Sequence, residues 1–392
     1  MPMKAVPRPK MSRAMFMEQL PGYAGQAVLL LVVGWLIGRG AVNFHGNLRA
    51  LGLSAGFGFL DTQAGFQVGQ ALIAFGPASS YRDAIIVAVL NTLLVVVLAS
   101  VLGTLIALII AFGRLAPAGL VQRLCALYVE VFRNIPVLLQ ILFWYSSALA
   151  LLPGVSESLE VGPILLNNRG LFLPVLHMSA LSAVALGMAL AAFVAALLLA
   201  RRNAASGRVR RLAGPSSVIA LLVAGGCVLF AWLGAPMQLE RPHVEGFDVS
   251  GGLVILPELM ALTLGLSIYN STFLAEIFRA GILSVPRGQI EAAATVGLGG
   301  ARAAFLITLP QALRVALPAA GGQYQTLAKA SALAAAIGYP DIMQIVGGTV
   351  ASQTGQALEA MALVVLLYGA INLCIALATG VANRQLMRRE GR

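Results

Sequence analysis

Between Ala84 and Gly113 the chain reads AIIVAVLNTLLVVVLASVLGTLIALIIAFG, thirty consecutive positions without a charged side chain. A helix crosses the roughly 30 Å hydrocarbon core of a bilayer in about 20 apolar residues, so this stretch is long enough to span a membrane. The rest of the chain matches it. Apolar residues make up 59% of the 392 residues and charged residues only 10%, with a mean hydropathy of +0.88. A soluble domain carries about 25% charge to cover its surface, so most of this surface faces something other than water. The apolar excess is continuous, which favours one membrane domain over the two or three soluble domains the length would allow.

Further charge-free runs lie at 19–38, 134–153, within 170–200, within 212–239, from 257 to about 278, after Arg314, and at 360–383. The expected fold is therefore an all-α polytopic membrane protein of about eight transmembrane helices, with both termini on one side. Net charge is +11. In a soluble protein that balance would suggest nucleic acid as a partner, but here the positive charge lies between apolar runs and reports orientation instead. With the N-terminus inside, twenty of the Lys and Arg residues fall on inner segments and five on outer loops, and every inner segment contributes. The first run is read as a retained anchor and not a signal peptide, because its basic leader is long and no small-residue cleavage site follows it. Outer segment 40–83 is rich in Gly, Phe and Gln. It reads as a flat interfacial element, a contact for a soluble partner, or a plain connector. The outer loops at 154–169 and 235–252 carry Glu157, Glu160, Glu240, Glu245 and Asp248.

Absences narrow the function. None of the three lysines follows a glycine-rich stretch, so no phosphate-cradling loop is present and no ATPase site of that type. His45, His177 and His243 are scattered, and Cys125, Cys227 and Cys374 lie in or beside apolar runs without paired spacing. Neither a metal site, a disulfide framework nor a bound cofactor is expected. No serine occupies a Gly-x-Ser-x-Gly turn, and catalysis is not expected of this chain. Glu258, Glu276 and Glu359 fall near helix ends, which leaves the helix centres without the carboxylate ladder of proton-coupled carriers. A secondary transporter is the alternative from another class, and it would leave the following loop without a purpose.

That loop, on the inner side after the sixth run, reads Glu291-Ala292-Ala293, then Gly297, then Ile307, Leu309 and Pro310. Pro286 suits the first turn of a helix. Residues 289–296 then form a short helix whose alanines admit a close-lying surface, and Gly297 ends it in the left-handed conformation. A second helix leads to Pro310 and the next span. A short rigid hairpin of this kind can enter a groove on a partner and transmit its motion.

EAA-x3-G-x9-I-x-L-P with every fixed position filled resembles the coupling loop of ABC importer permeases. Tyr128 to Gln140 (YVEVFRNIPVLLQ), Ala275 to Ile282, Leu309 to Arg314 and Ala335 to Asp341 are similar to the boxes of the polar amino-acid permeases. The resemblance covers about 84–150 and 253–384. It implies three units: 1–83 as inner N-terminus, first helix and outer loop; 84–384 as the transmembrane domain, with an insertion at about 151–252 carrying two additional helices; and 385–392 as an inner tail. The long permeases of general L-amino-acid and glutamate/glutamine/aspartate/asparagine importers are similar in having both additions. The family implies a bacterial inner-membrane location, a second permease (a different chain in the long systems), separate cytoplasmic ATPases, and a periplasmic binding protein that delivers the substrate. Polar L-amino acids are the implied cargo, with another small polar solute such as an opine or cystine as the alternative.

Two departures fall on the expected pathway. Lys329-Ala330-Ser331-Ala332-Leu333 is less polar than the corresponding stretch of relatives, and Asn270-Ser271-Thr272 stands where small apolar residues are usual. Asn270, Lys329 and Ser331 are accordingly candidates for the substrate pathway. Lys329 lies about 22 Å along an unbroken helix from Arg314 at 1.5 Å per residue. A lysine in the hydrocarbon zone costs roughly 2.5–3.5 kcal/mol on insertion scales, so it is expected either to pair with Asp341 or a partner's carboxylate, or to face a wet cavity.

Overall fold

The computed structural model describes residues 56–117, 119–177 and 238–388, with short helical pieces between 25 and 46, 184 and 195, and 221 and 228. Helix α1 (Tyr81–Leu115) contains the opening stretch. Its start is fixed by a reciprocal cap: Ser80 Oγ accepts the Asp83 N–H at 3.2 Å, and the Asp83 carboxylate accepts the Ser80 N–H at 3.0 Å. Two of the donors left open at a helix N-terminus are thereby satisfied.

Helices α2 (Gly119–Asn134) and α3 (Val137–Leu151) meet at a 100° bend. Pro136 between them lacks an N–H and pushes Ile135 out of the helical region. The buried side chain of Gln140 compensates, donating from Nε2 to the carbonyls of Phe132 (2.8 Å) and Ile135 (3.0 Å). The expected third span is thus a 15-residue helix, α3, turned away from the amphipathic α2 that precedes it.

Helix α4 (Pro257–Leu283) is the hub, with α1, α3 and the later helix α7 all packed on it. Hydrophobic association is weak among helices already in lipid, so close packing of small residues takes over. A Cβ on Gly103 of α1 would lie 3.2 Å from the Ser267 carbonyl oxygen, and one on Gly281 would lie 2.8 Å from that of Ala312. The chain continues through α5 (Arg287–Thr295), α6 (Gly300–Ala303), a π-helical turn Ala304–Thr308 and α7 (Leu309–Ala330). Beyond α7 it tightens into a 3₁₀ segment Ser331–Ile337 and widens into a π-helical segment Met343–Val350. It ends with α8 (Ala351–Thr354) and α9 (Ala357–Arg388).

Among the described residues four helical segments are long and apolar enough to cross a membrane: Tyr81–Leu115, Pro257–Leu283, Ala304–Ile337 and Ala357–Met387. The bent pair α2–α3 makes a fifth if counted as one span. The expected first, fourth and fifth spans are described only in part, as helical pieces at 25–36, 187–195 and 221–226, so the expected count of eight is neither met nor opposed. The described strands narrow where these helices can lie. Residues 170–173, 175–177 and 238–240 are strands, so neither helix four nor helix five includes them. The surrounding loops are also built. Strands β1 (Leu159–Val161), β2 (Ile164–Asn167), β3 (Gly170–Leu173) and β8 (Leu253–Ile255) form one antiparallel sheet in that order. Strand β4 (Val175–His177) pairs with β5 (Gln238–Glu240), and β6 (His243–Glu245) with β7 (Asp248–Ser250). Leu171 lies opposite Ile255 and Leu173 opposite Leu253, so the two ends of the insertion are stitched together.

Polar contacts mark the two ends of the bundle. Glu276 of α4 lies between Arg114 at the end of α1 and Arg279, so both helices finish beside the α5–α6 hairpin. At the opposite end, Tyr145 of α3 donates to Glu258 at 3.2 Å, beside the strands, and Tyr81 donates to Gln353 at 2.9 Å. Segment 56–80 folds back over this second end through Ala64 N–H to Ser79 O (2.8 Å) and Tyr81 N–H to Thr62 O (3.1 Å), around Phe59, Phe66, Phe75 and Tyr81.

Candidate functional site

The hairpin after α4 begins at Pro286, whose extended ψ of 136° sets the entry to α5. The helix occupies Arg287–Thr295, two residues earlier at its start than expected, and Gly297 closes it with φ +77°. The Leu298 N–H reaches the Ala293 carbonyl at 3.0 Å and the Gly297 N–H reaches that of Ala294 at 3.1 Å. This pair of bonds satisfies the last carbonyls of the helix and needs a residue at ease with positive φ. Ala293 is only 4% exposed and turns inward, under the hairpin, whereas Glu291 and Ala292 are exposed. The alanines therefore divide: Ala293 packs the hairpin and Ala292 faces out.

Ile307 sits half-buried in the π-helical turn ahead of Pro310. A proline can neither donate to the carbonyl four residues back nor tolerate its approach, and the wider turn over Ala304–Thr308 accommodates the conflict. Around the hairpin, Val296 (73%) and Phe305 (70%) are strongly exposed, as is Leu306. Arg287 and Arg302 are exposed beside them. The seven motif residues thus form one short, glycine-closed unit with an apolar exposed rim, held to the bundle by the close contact of Gly281 with Ala312 and Ala316.

The three pathway candidates do not converge. Asn270 is 2% exposed, and its Oδ1 accepts from Gln323 Nε2 at 2.9 Å. Its Nδ2 has no hydrogen-bond partner among the described residues, and Asn270 borders a small cavity of about 10 Å³, the scale of one water, lined by Tyr269, Gln323, Thr326 and Ala330 among others. Ser331 is buried and donates to the Ala328 carbonyl at 2.8 Å, which ends α7. Lys329 is exposed, and no ion pair to it occurs among the described residues. The pairing expected with Asp341 is not made. Asp341 instead accepts from the Gln344 N–H and from Tyr368 Oη, each at 2.8 Å. Burial decides this: Asp341 is 1% exposed, inside a polar knot where Asn91 Nδ2 donates to the Pro340 carbonyl and Thr92 Oγ1 accepts the Ile342 N–H. Gln323, Thr326 and the Thr104–Tyr324 pair (2.8 Å) were missed. Their signal was present in the spacing of Gln323, Thr326 and Ala330 along one face of α7.

No protein-family model matches the chain. Full-length relatives do. It is 40% identical over 372 residues, 91% of this chain and 90% of the other, to YhdX of Escherichia coli (strain K12), which is named as an amino-acid ABC transporter permease. It is 41% identical to the general L-amino acid transport system permease protein AapQ of Rhizobium johnstonii, over 90% of this chain and 87% of that one. The glutamate/glutamine/aspartate/asparagine transport system permease protein BztB of Rhodobacter capsulatus is 34% identical over 93% and 92%. Together these relatives span the hairpin, the polar knot and the stranded insertion alike, and the chain belongs to the amino-acid ABC transporter permeases, transport subunits whose ATPase is a separate chain.

Proposed function

We propose that this permease carries polar L-amino acids inward across a bacterial inner membrane, with both termini and the α5–α6 hairpin on the cytoplasmic side. An ATP-binding subunit and a substrate-binding protein are the partners general to such importers. We assign the ATP-binding subunit to the hairpin, the binding protein to the stranded end, and a second permease, a different chain, to the lateral face of the bundle. The observation that carries this reading is the hairpin: a glycine-closed unit whose outward residues include Glu291, Ala292, Val296 and Phe305. An exposed apolar rim beside arginines suits a groove on a soluble protein, and the Gly281 contact would pass a push on the hairpin directly to α4 and α7. Lys329, with no ion pair among the described residues, is free to offer its ammonium to a substrate carboxylate, while Asn270 offers a buried amide N–H.

The test is uptake of labelled glutamine, glutamate and a neutral apolar amino acid into proteoliposomes containing the assembled importer. Uptake should require both ATP inside the cytoplasmic face and the binding protein outside. Lys329→Met should keep the thermal stability and stimulated ATPase activity of the wild type while uptake falls at least about tenfold. Wild-type uptake in the Lys329→Met importer would remove the substrate role, and uptake driven by an ion gradient without ATP would overturn the whole assignment.

A further inference from the structure

At the end of the bundle opposite the hairpin, segment 56–80 and the turn before α9 enclose an open cleft of about 460 Å³. Small-ligand sites fall in the range of about 300–1,000 Å³. Its walls are carboxamides and hydroxyls, from Gln63 and Thr62 on one side and Gln353, Thr354 and Gln356 on the other, over the aromatic side chains of Phe59 and Tyr81. The two sides are fastened to each other by Tyr81 Oη donating to Gln353 Oε1 at 2.9 Å and by the Gly56 N–H donating to Glu359 at 3.1 Å. Gln353 and Gln63 both line the cleft; with the Gln353 Oε1 engaged by Tyr81, its Nε2 donors and the Gln63 side chain make no hydrogen bond among the described residues.

The charge arrangement limits what fits. Among the described residues no charged side chain lines the cleft. Charged groups next to its lining residues are Glu359, which accepts the Gly56 N–H, and the exposed Arg82–Asp61 pair at 2.7 Å. A carboxylate entering the cleft would meet no cation among its described lining residues and would approach Glu359. A carboxamide can both donate to and accept from the amides, and its methylenes can lie against Phe59. The ammonium and carboxylate of an amino acid would remain at the open mouth in water.

We propose that this cleft is an outer-face site for a small solute bearing a carboxamide side chain, such as glutamine or asparagine, and that it discriminates against the acidic counterparts. It is separate from the Asn270 cavity, and it gives segment 56–80 a role beyond that of a connector. The word outer rests on the orientation proposed above.

The test uses the assembled importer with Cys125, Cys227 and Cys374 replaced by serine and Thr62→Cys introduced, without binding protein. L-Glutamine should slow labelling of that cysteine by a maleimide several-fold, and L-glutamate should not. Gln353→Glu keeps the acceptor for Tyr81 but removes the amide donors. It should weaken glutamine protection by at least about tenfold, the scale of one or two lost hydrogen bonds. Equal labelling with and without glutamine, equal protection by glutamate, or a cysteine that no maleimide reaches would each overturn the proposal. Because uptake is not the readout, such a failure leaves the transport assignment standing, and a failure of ATP-driven uptake leaves this one standing.

Discussion

The two ends of the bundle are built by opposite means. At the hairpin end, the deciding residues lie within about twenty-five positions of one another, from Pro286 to Pro310, and each acts through its own backbone. Proline opens α5, Gly297 closes it, and Pro310 forces the widened turn before α7. At the opposite end, β3 pairs with β8 across about eighty residues of the insertion, and Gly56 reaches Glu359 from the far side of the chain. Local chemistry specifies the first end and long-range pairing the second. The expected consequence is that the hairpin end tolerates change in its partners but not in its glycines, while the opposite end depends on buried polar contacts.

The largest effect is predicted where the hairpin meets the bundle. In Gly281→Leu, even the first carbon of the new side chain would sit 2.8 Å from the Ala312 carbonyl. Overpacking of that kind costs about 1–3 kcal/mol and occasionally more, and here it also drives α4 from α7. The purified importer should lose thermal stability and yield. A variant as stable as the wild type would show that the α4–α7 contact is looser than described and would break the comparison at its strongest point.

A comparable effect of different origin is expected at the other end. Tyr368→Phe removes the hydroxyl that donates to Asp341, leaving one carboxylate oxygen of a buried group without its partner. The cost of such an orphan is about 1–3 kcal/mol. Tyr368→Phe should lower the thermal midpoint without altering coupling, which would separate the two ends experimentally. An unchanged midpoint would mean that water already reaches Asp341.

These contrasts also explain what the sequence disclosed. The membrane class followed from the charge-free run at 84–113, because hydropathy needs no partner to be read. The hairpin was legible to within two residues because Pro286 and Gly297 punctuate it locally. The inward turn of Ala293 was not, since spacing alone does not say which alanine meets the bundle. The strands at 170–177 and 238–240 were hidden inside apolar runs. A short apolar stretch is ambiguous between helix and strand until its pairing partner is known, and that partner lies most of an insertion away. Of the alternatives for Lys329, pairing with Asp341 was suggested by charge and nearness in sequence, whereas burial gave the carboxylate to Tyr368 and left the lysine exposed.

The central claim is that the glycine-closed hairpin transmits the ATPase stroke, and Gly297→Leu tests it most directly. A bulky side chain at φ +77° costs roughly 1–2 kcal/mol in a left-handed conformation, enough to open the turn without unfolding the bundle. The measurement is the number of substrate molecules imported per ATP hydrolysed, in proteoliposomes holding equal amounts of assembled wild-type or variant importer. The account predicts that Gly297→Leu inserts and assembles, hydrolyses ATP, and imports several-fold less per ATP. Import per ATP equal to the wild type, with the variant fully assembled, would contradict it.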